Sequence, residues 1–249
     1  MTPRYADSEG LIYFTTSPWG RGPAAGPSDS VHIARWDPDR HTVESIATVN
    51  GITRRRDQGP SMTPRFPNVP FAPQDAWAAT PEGDVFVVRS GDYHIERVTR
   101  DGKLVVGSPI EYPVLPVTHE DKFAYVLWNT LSSPIGGRGE GMMHQPAEWS
   151  EPAYIEEMIA NNEFAEIKPP FVPGGAWTTP EGELWVERSM PFGEPTTYDV
   201  FDGQATRVKQ VALPEGRRLL GFGQGVLYAV VEDADGLQTI ERYRRRTPY

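Results

Sequence analysis

The chain has 249 residues and no cysteine, and its 24 lysines and arginines against 34 aspartates and glutamates give a net charge of −10. This charge disfavours nucleic acid as a partner, because a polyanion requires a continuous basic surface. The missing thiols exclude disulfides, thiolate zinc sites and a cysteine nucleophile. The sequence contains no run of about 18 apolar residues, so no membrane-spanning helix is predicted. The 24 glycines and 25 prolines indicate short strands separated by many turns.

A sequence unit recurs four times along the chain. The two closest copies are 76–90 and 176–189, and weaker copies occupy 8–15 and 223–231. Each copy places turn residues before an apolar, aromatic-bearing run, which is typical of a tight turn followed by a buried strand. The closest copies differ by one residue between their Ala-Trp pair and their Thr-Pro-Glu-Gly turn. A bulge or register change should therefore place the rings of Trp77 and Trp177 differently.

A second recurring string follows the first in each unit. It is found at His32–Arg35, His94–Arg97 and Thr239–Arg242, while the third unit has Thr197–Phe201 there. Turn residues and a further β-rich run come next, so each unit is predicted to form four antiparallel strands. Tandem four-stranded units predict an all-β fold, a β-propeller of four-stranded antiparallel blades.

The prediction is a single propeller domain over residues 1–249. Its four visible blades are expected at about 3–49, 70–107, 175–211 and 217–245. The second strand of the second blade is a continuous apolar run rather than an alternating one. This pattern is expected where neighbouring blades cover both faces of a sheet.

The repeats resemble those of the bacterial six-bladed β-propellers related to NHL repeats. The residues that carry the resemblance are Pro81-Glu82-Gly83, Pro180-Glu181-Gly182 and Phe201-Asp202-Gly203. A WD40 repeat is disfavoured because Trp36-Asp37 occurs once. The fourth unit has no sequence for a fourth strand, so the resemblance implies part of a six-bladed ring. The alternatives are an open arc, able to self-associate through its sheet edges, and a closed ring of four or five blades.

The compartment is left open by the sequence. No apolar stretch follows Arg4, so no signal peptide is predicted in this sequence, and a lack of cysteine fits either redox environment. The resemblance implies a periplasmic or secreted protein if the N-terminus is truncated.

Residues 108–174 are predicted to form a short insertion of two helices. Thr118 and Asp121 belong to a capping-box pattern, and apolar residues follow at helical spacing. With the other long segments, this insertion should lie on one face of the disc, opposite the tight turns. Loops on a rigid scaffold commonly carry binding function. The alternative is that the insertions only cap the channel or fill the gap left by missing blades.

Five residues are candidates for ligand binding: Arg89, Arg188, Asp75, Trp19 and His144. The two arginines end equivalent strands and could hold a carboxylate, a sulfate or a sugar acid through bidentate hydrogen bonds. The alternative for both is pairing with acids of neighbouring blades.

The main prediction for function is a non-catalytic binding or scaffold propeller that recognises a protein, peptide or glycan. No nucleophile elbow, zinc-protease or calcium-loop motif occurs in the sequence. The alternative is a hydrolase or lyase for an anionic or sugar-derived substrate, with Asp75 or Glu140 as the general base. No cofactor is predicted. Lactonase-type propellers, which resemble this fold, hold a divalent cation with several acidic and amide side chains. The matching positions here include one carboxylate, so no metal site is predicted.

Overall fold

The computed structural model describes residues 3–16, 30–51, 69–132, 151–233 and 237–245, which form four antiparallel sheets. Each sheet takes its strands in chain order, so consecutive strands are neighbours. The strands of the first and second sheets are β1 (Pro3–Ala6), β2 (Ile12–Thr16), β3 (Ser30–Asp37), β4 (Thr42–Asn50), β5 (Ala76–Ala79), β6 (Val85–Arg89), β7 (His94–Val98) and β8 (Leu104–Val106).

Two helices separate the second sheet from the third. The remaining elements are α1 (His119–Ser132), α2 (Pro152–Asn161), β9 (Phe171–Thr178), β10 (Leu184–Arg188), β11 (Thr197–Phe201), β12 (Arg207–Ala212), β13 (Arg217–Gly223), β14 (Val226–Glu232) and β15 (Gln238–Arg244). The predicted all-β character, the antiparallel sheets and the short two-helix insertion are confirmed. The fourth sheet has three strands in the described segments, and the other three sheets have four each.

The repeated Thr-Pro-Glu-Gly sequence forms the same turn in two sheets. In each turn the Thr N–H donates to the residue four positions on, Asp84 or Glu183, at 2.8 and 2.9 Å. Gly83 and Gly182 have φ angles of 92° and 83°, in the left-handed region where glycine is favoured. The local sequence therefore specifies this turn.

The sheets pack face to face in chain order through three apolar cores. The cores contain, in order, Tyr13, Ile33, Trp77 and Val87; Phe86, Ile95, Leu184 and Phe201; and Trp185, Tyr198, Leu219 and Leu227. Strand β6 contributes Val87 to the first core and Phe86 to the second. The expectation that this strand is covered on both faces is confirmed.

Part of the outer face of the fourth sheet is exposed, at Ile240 and Tyr228, whereas Val230 on that face is buried. Ile240 lies opposite Val230 on this sheet, at the position that Ile95 occupies in the second sheet. Ile95 is 0% exposed because the third sheet covers it, whereas Ile240 is 67% exposed. None of the three apolar cores between sheets of the described chain includes Ile240.

The two repeated tryptophans face opposite directions. Trp77 stands three residues before Thr80, whereas Trp177 stands two residues before Thr179. Side chains alternate along a strand, so the one-residue difference turns the rings to opposite faces. Trp77 packs against the first sheet, and Trp177 lies 5.7 Å from the ring of Tyr198 in the core shared with the fourth sheet. The predicted difference between the rings is confirmed.

The first strands of three sheets converge. The Tyr5 hydroxyl on β1 donates to the carbonyl oxygens of Trp77 on β5 and Ala176 on β9, at 3.3 and 3.2 Å. The Thr178 hydroxyl also donates to the Ala79 carbonyl at 2.6 Å. These contacts place β1, β5 and β9 together at one edge of the stack.

The helices of the insertion pack on each other and are anchored to the sheets. Val126, Ile155 and Met158 form their core, and Thr118 caps α1 through reciprocal hydrogen bonds with Asp121. The buried Lys168 ammonium donates to Asp121 Oδ1 at 2.6 Å and to the Met190 carbonyl, after β10, at 2.8 Å. Within the described segments, neither helix is long and apolar enough to cross a membrane.

Candidate functional site

The predicted arginines Arg89 and Arg188 end the second strands of the second and third sheets. Each side chain points into the interface with the preceding sheet, on the side of its strand that carries Val87 or Val186. The two interfaces differ in the acceptors that they provide. This difference decides which arginine is available to a ligand.

Arg89 is fully engaged by the protein. Its guanidinium donates to Asp75 Oδ2 at 2.9 Å, to Glu96 Oε2 at 2.6 Å and to the Thr48 carbonyl at 2.8 Å. Burial lowers the pKa of Arg89, but the hydrogen bonds that it donates to Glu96 and Asp75 outweigh burial and raise this pKa. Arg89 therefore joins three strands and has a structural role.

Asp75 has a completely buried side chain and is part of the same arrangement. Besides Arg89, it accepts hydrogen bonds from the Ser90 N–H and hydroxyl and from the Asn50 N–H, at 2.9 to 3.0 Å. A carboxylate with these four donors has no remaining role as a general base that contacts a substrate. The geometry gives Asp75 a structural role too.

Arg188 has no equivalent of Asp75. Strand β9 pairs Ala176 with Val186 and then Phe171 with Arg188, so residues 172–175 bulge out of the ladder. Gly174 in this bulge has a φ of 78°. The apolar Phe171 consequently lies opposite the arginine, where the second sheet has a carboxylate.

The acid nearest Arg188 is Asp199, which occupies the position of Glu96 in the third sheet. Its buried carboxylate accepts hydrogen bonds from the Tyr93 hydroxyl at 2.7 Å and from Gln210 Nε2 at 2.8 Å. Arg188 Nε and Arg207 Nη1 lie 3.8 and 3.6 Å from its oxygens, which is beyond hydrogen-bonding distance. The anion is thus satisfied by neutral donors, and its two cations are only loosely paired.

Arg188 Nε is buried and has no hydrogen-bond partner within the described residues. Burial and the adjacent Asp199 charge raise the pKa of Tyr93, so this phenol remains a neutral donor. We name Arg188, Asp199, Arg207, Tyr93 and Gln210 the arginine cluster. It lies between the second and third sheets.

A cavity of about 350 Å³ adjoins the arginine cluster. Arg207 belongs to both, since it lines the cavity and lies beside Asp199. The full lining is Ser108, Pro109, Ile110, Glu111, Ala205, Thr206 and Arg207. This volume is in the range of small-molecule sites.

Glu187, the residue before Arg188 on β10, is a further unusual group. It stands where the second sheet has the buried Val88, and it faces the fourth sheet rather than the arginine cluster. Burial raises the pKa of Glu187, although hydrogen bonding by Tyr198 and the Arg218 charge partly oppose this effect. The Tyr198 hydroxyl lies 3.3 Å from its carboxylate.

We expect Glu187→Gln to stabilise the protein at neutral pH but not in acid. A carboxyl whose pKa is raised by folding contributes stability at low pH. This contribution is fully present below the pKa of the unfolded chain, about 4.3, and is lost as the pH rises through the pKa of the folded protein. The difference in melting temperature between variant and wild type should therefore grow between about pH 4 and pH 7. Thermal melts across this range measure it, and a constant difference would contradict the expectation.

Trp19, His144 and Glu140 lie outside the described residues. The sequence analysis missed Tyr93, Asp199 and Arg207. Asp199 could have been found, because it is aligned with Glu96 in the repeat. The other two approach it only through packing between sheets. No three His, Asp or Glu side chains of the described ranges come together as candidate metal ligands.

No protein-family model matches this chain, and no curated protein matches it in sequence.

Proposed function

We propose that this protein is a non-catalytic binding β-propeller, related to the NHL-repeat propellers, whose four sheets are consecutive blades. The stacking of the sheets in chain order supports this proposal, as does the convergence of their first strands on Tyr5. The exposure of Ile240 on the outer face of the fourth sheet fits a ring that is incomplete within the described residues.

The proposed recognition surface is the end of the sheets that carries the helical insertion. The insertion contacts Met190, just after β10, and Phe71, just before β5, whose ring lies 5.5 Å from that of Tyr125. Strands β6 and β10 end at Arg89 and Arg188, and the chain leaves both sheets at this same end. Long connections and Arg188 therefore occupy one side of the sheets, whereas Arg207 begins β12 at the other end.

The observation that carries the proposal is the contrast between Arg89 and Arg188. The fold satisfies Arg89 with hydrogen bonds to Asp75 and Glu96. The equivalent Arg188 has a buried Nε with no partner in the described residues, and Arg207 of the same cluster lines a cavity. Glu111 is the one carboxylate residue in the described lining of that cavity. General acid–base catalysis needs convergent titratable groups, so the geometry favours binding over hydrolysis.

Detaching the insertion should reduce binding. We expect Lys168→Met, which removes the buried ion pair with Asp121, to weaken binding of the labelled chain to glycan and peptide arrays. Lys103→Met, in the exposed turn at the opposite end of the sheets, is the control and should bind as wild type does. Circular dichroism should show that the sheets of both variants stay folded.

Two results would contradict the proposal. The first is equal array binding by wild type and Lys168→Met. The second is turnover by the wild type of chromogenic esters, lactones or glycosides that is lost on mutation of the cavity residue Glu111 to Gln.

A further inference from the structure

The arginine cluster contains a buried cation with unused hydrogen-bonding capacity. The Arg188 side chain is 16% exposed, and its buried Nε reaches no acceptor in the part of the chain that the structure describes. A guanidinium presents its donors in a planar fork that matches the two oxygens of a carboxylate. A buried donor without a partner costs free energy, which an incoming acceptor would recover.

The local charge also favours an anion. Arg188 and Arg207 both lie within 4 Å of Asp199, so two cations share one carboxylate. Both oxygens of Asp199 already accept hydrogen bonds from Tyr93 and Gln210. Asp199 therefore cannot neutralise both arginines, and the arginine cluster by itself carries one excess positive charge.

Arg207 is the member of the cluster that lines the cavity, and its side chain is 37% exposed. The lining includes the hydroxyl-bearing residues Ser108 and Thr206, together with Glu111. Glu111 would repel a ligand that is anionic throughout. A ligand with one carboxylate and a neutral, hydroxylated body fits both the arginines and the cavity.

We propose that Arg188 and Arg207 bind the carboxylate of a sugar acid whose hydroxylated body occupies the adjoining cavity. The proposal rests on the binding function proposed above and specifies its ligand class. It differs from the arrangement at Arg89, where Asp75 already occupies the place that the ligand carboxylate would take.

Calorimetric titration with D-glucuronate tests the proposal, with its neutral methyl ester as the matched probe. We expect wild type to bind the acid and to bind the ester at least about tenfold more weakly, because the ester lacks the charge that strengthens these hydrogen bonds. Arg188→Met should bind the acid about 10- to 100-fold more weakly than wild type does. Arg188→Lys should have an affinity between those of Arg188→Met and wild type. Arg40→Met, at an exposed arginine far along the first sheet, should bind as wild type does.

Equal affinity for acid and ester, unchanged binding by Arg188→Met, or no binding of D-glucuronate by wild type would overturn the proposal. Equal binding of inorganic sulfate would overturn the carboxylate assignment. If Arg188→Met does not fold, Arg207→Met at the more exposed partner provides the same comparison. These failures would leave the Lys168→Met array result unaffected, so they are distinguishable from failure of the binding function.

Discussion

Replacing Ile95 with alanine is expected to lower the free energy of unfolding by about 2–5 kcal/mol, the usual cost of truncating a fully buried isoleucine. The same replacement at Ile240 should change it by no more than about 0.5 kcal/mol, as at other exposed positions. The two residues hold corresponding places in the repeat, so local strand propensity is matched. Equilibrium unfolding in urea measures both variants.

This comparison tests whether the outer face of the fourth sheet is solvent-exposed at Ile240 in the folded protein. Similar losses at Ile95 and Ile240 would contradict that description, because they would require another element to cover the fourth sheet. The slopes of the unfolding curves must also agree among the proteins, since stacked repeats can lose two-state behaviour.

Asp75→Ala is expected to destabilise the protein by about 3 kcal/mol, because it removes a buried partner of Arg89 and leaves several donors without an acceptor. Arg188→Met should change stability by less than about 1 kcal/mol, since the buried Nε of Arg188 has no hydrogen-bond partner in the described residues. Thermal and urea unfolding of the two variants provide the measurement. The opposite order of effects would show that Arg188 is the structural arginine.

The strands were predictable because their signals are local. Turn sequences such as Pro81-Glu82-Gly83 bound runs of apolar residues, and both features act within a few residues. The different placement of the Trp77 and Trp177 rings also followed from counting one residue within a strand. The repeat itself then predicted that Arg89 and Arg188 would end equivalent strands.

The different environments of these two arginines were not predictable from the repeat. The bulge at residues 172–175 removes a carboxylate from one interface and replaces it with Phe171. Tyr93 and Arg207 reach Asp199 from distant parts of the chain. None of these approaches leaves a pattern within a single unit.

The amino-acid sequence by itself determined the strand order, the tight turns and the apolar faces, because these depend on side-chain alternation and on backbone preferences of neighbouring residues. Only the tertiary structure decided which charged groups are satisfied and which remain available. Burial and pairing of a charge depend on the sheet packed against it, and that sheet comes from a remote segment of the chain.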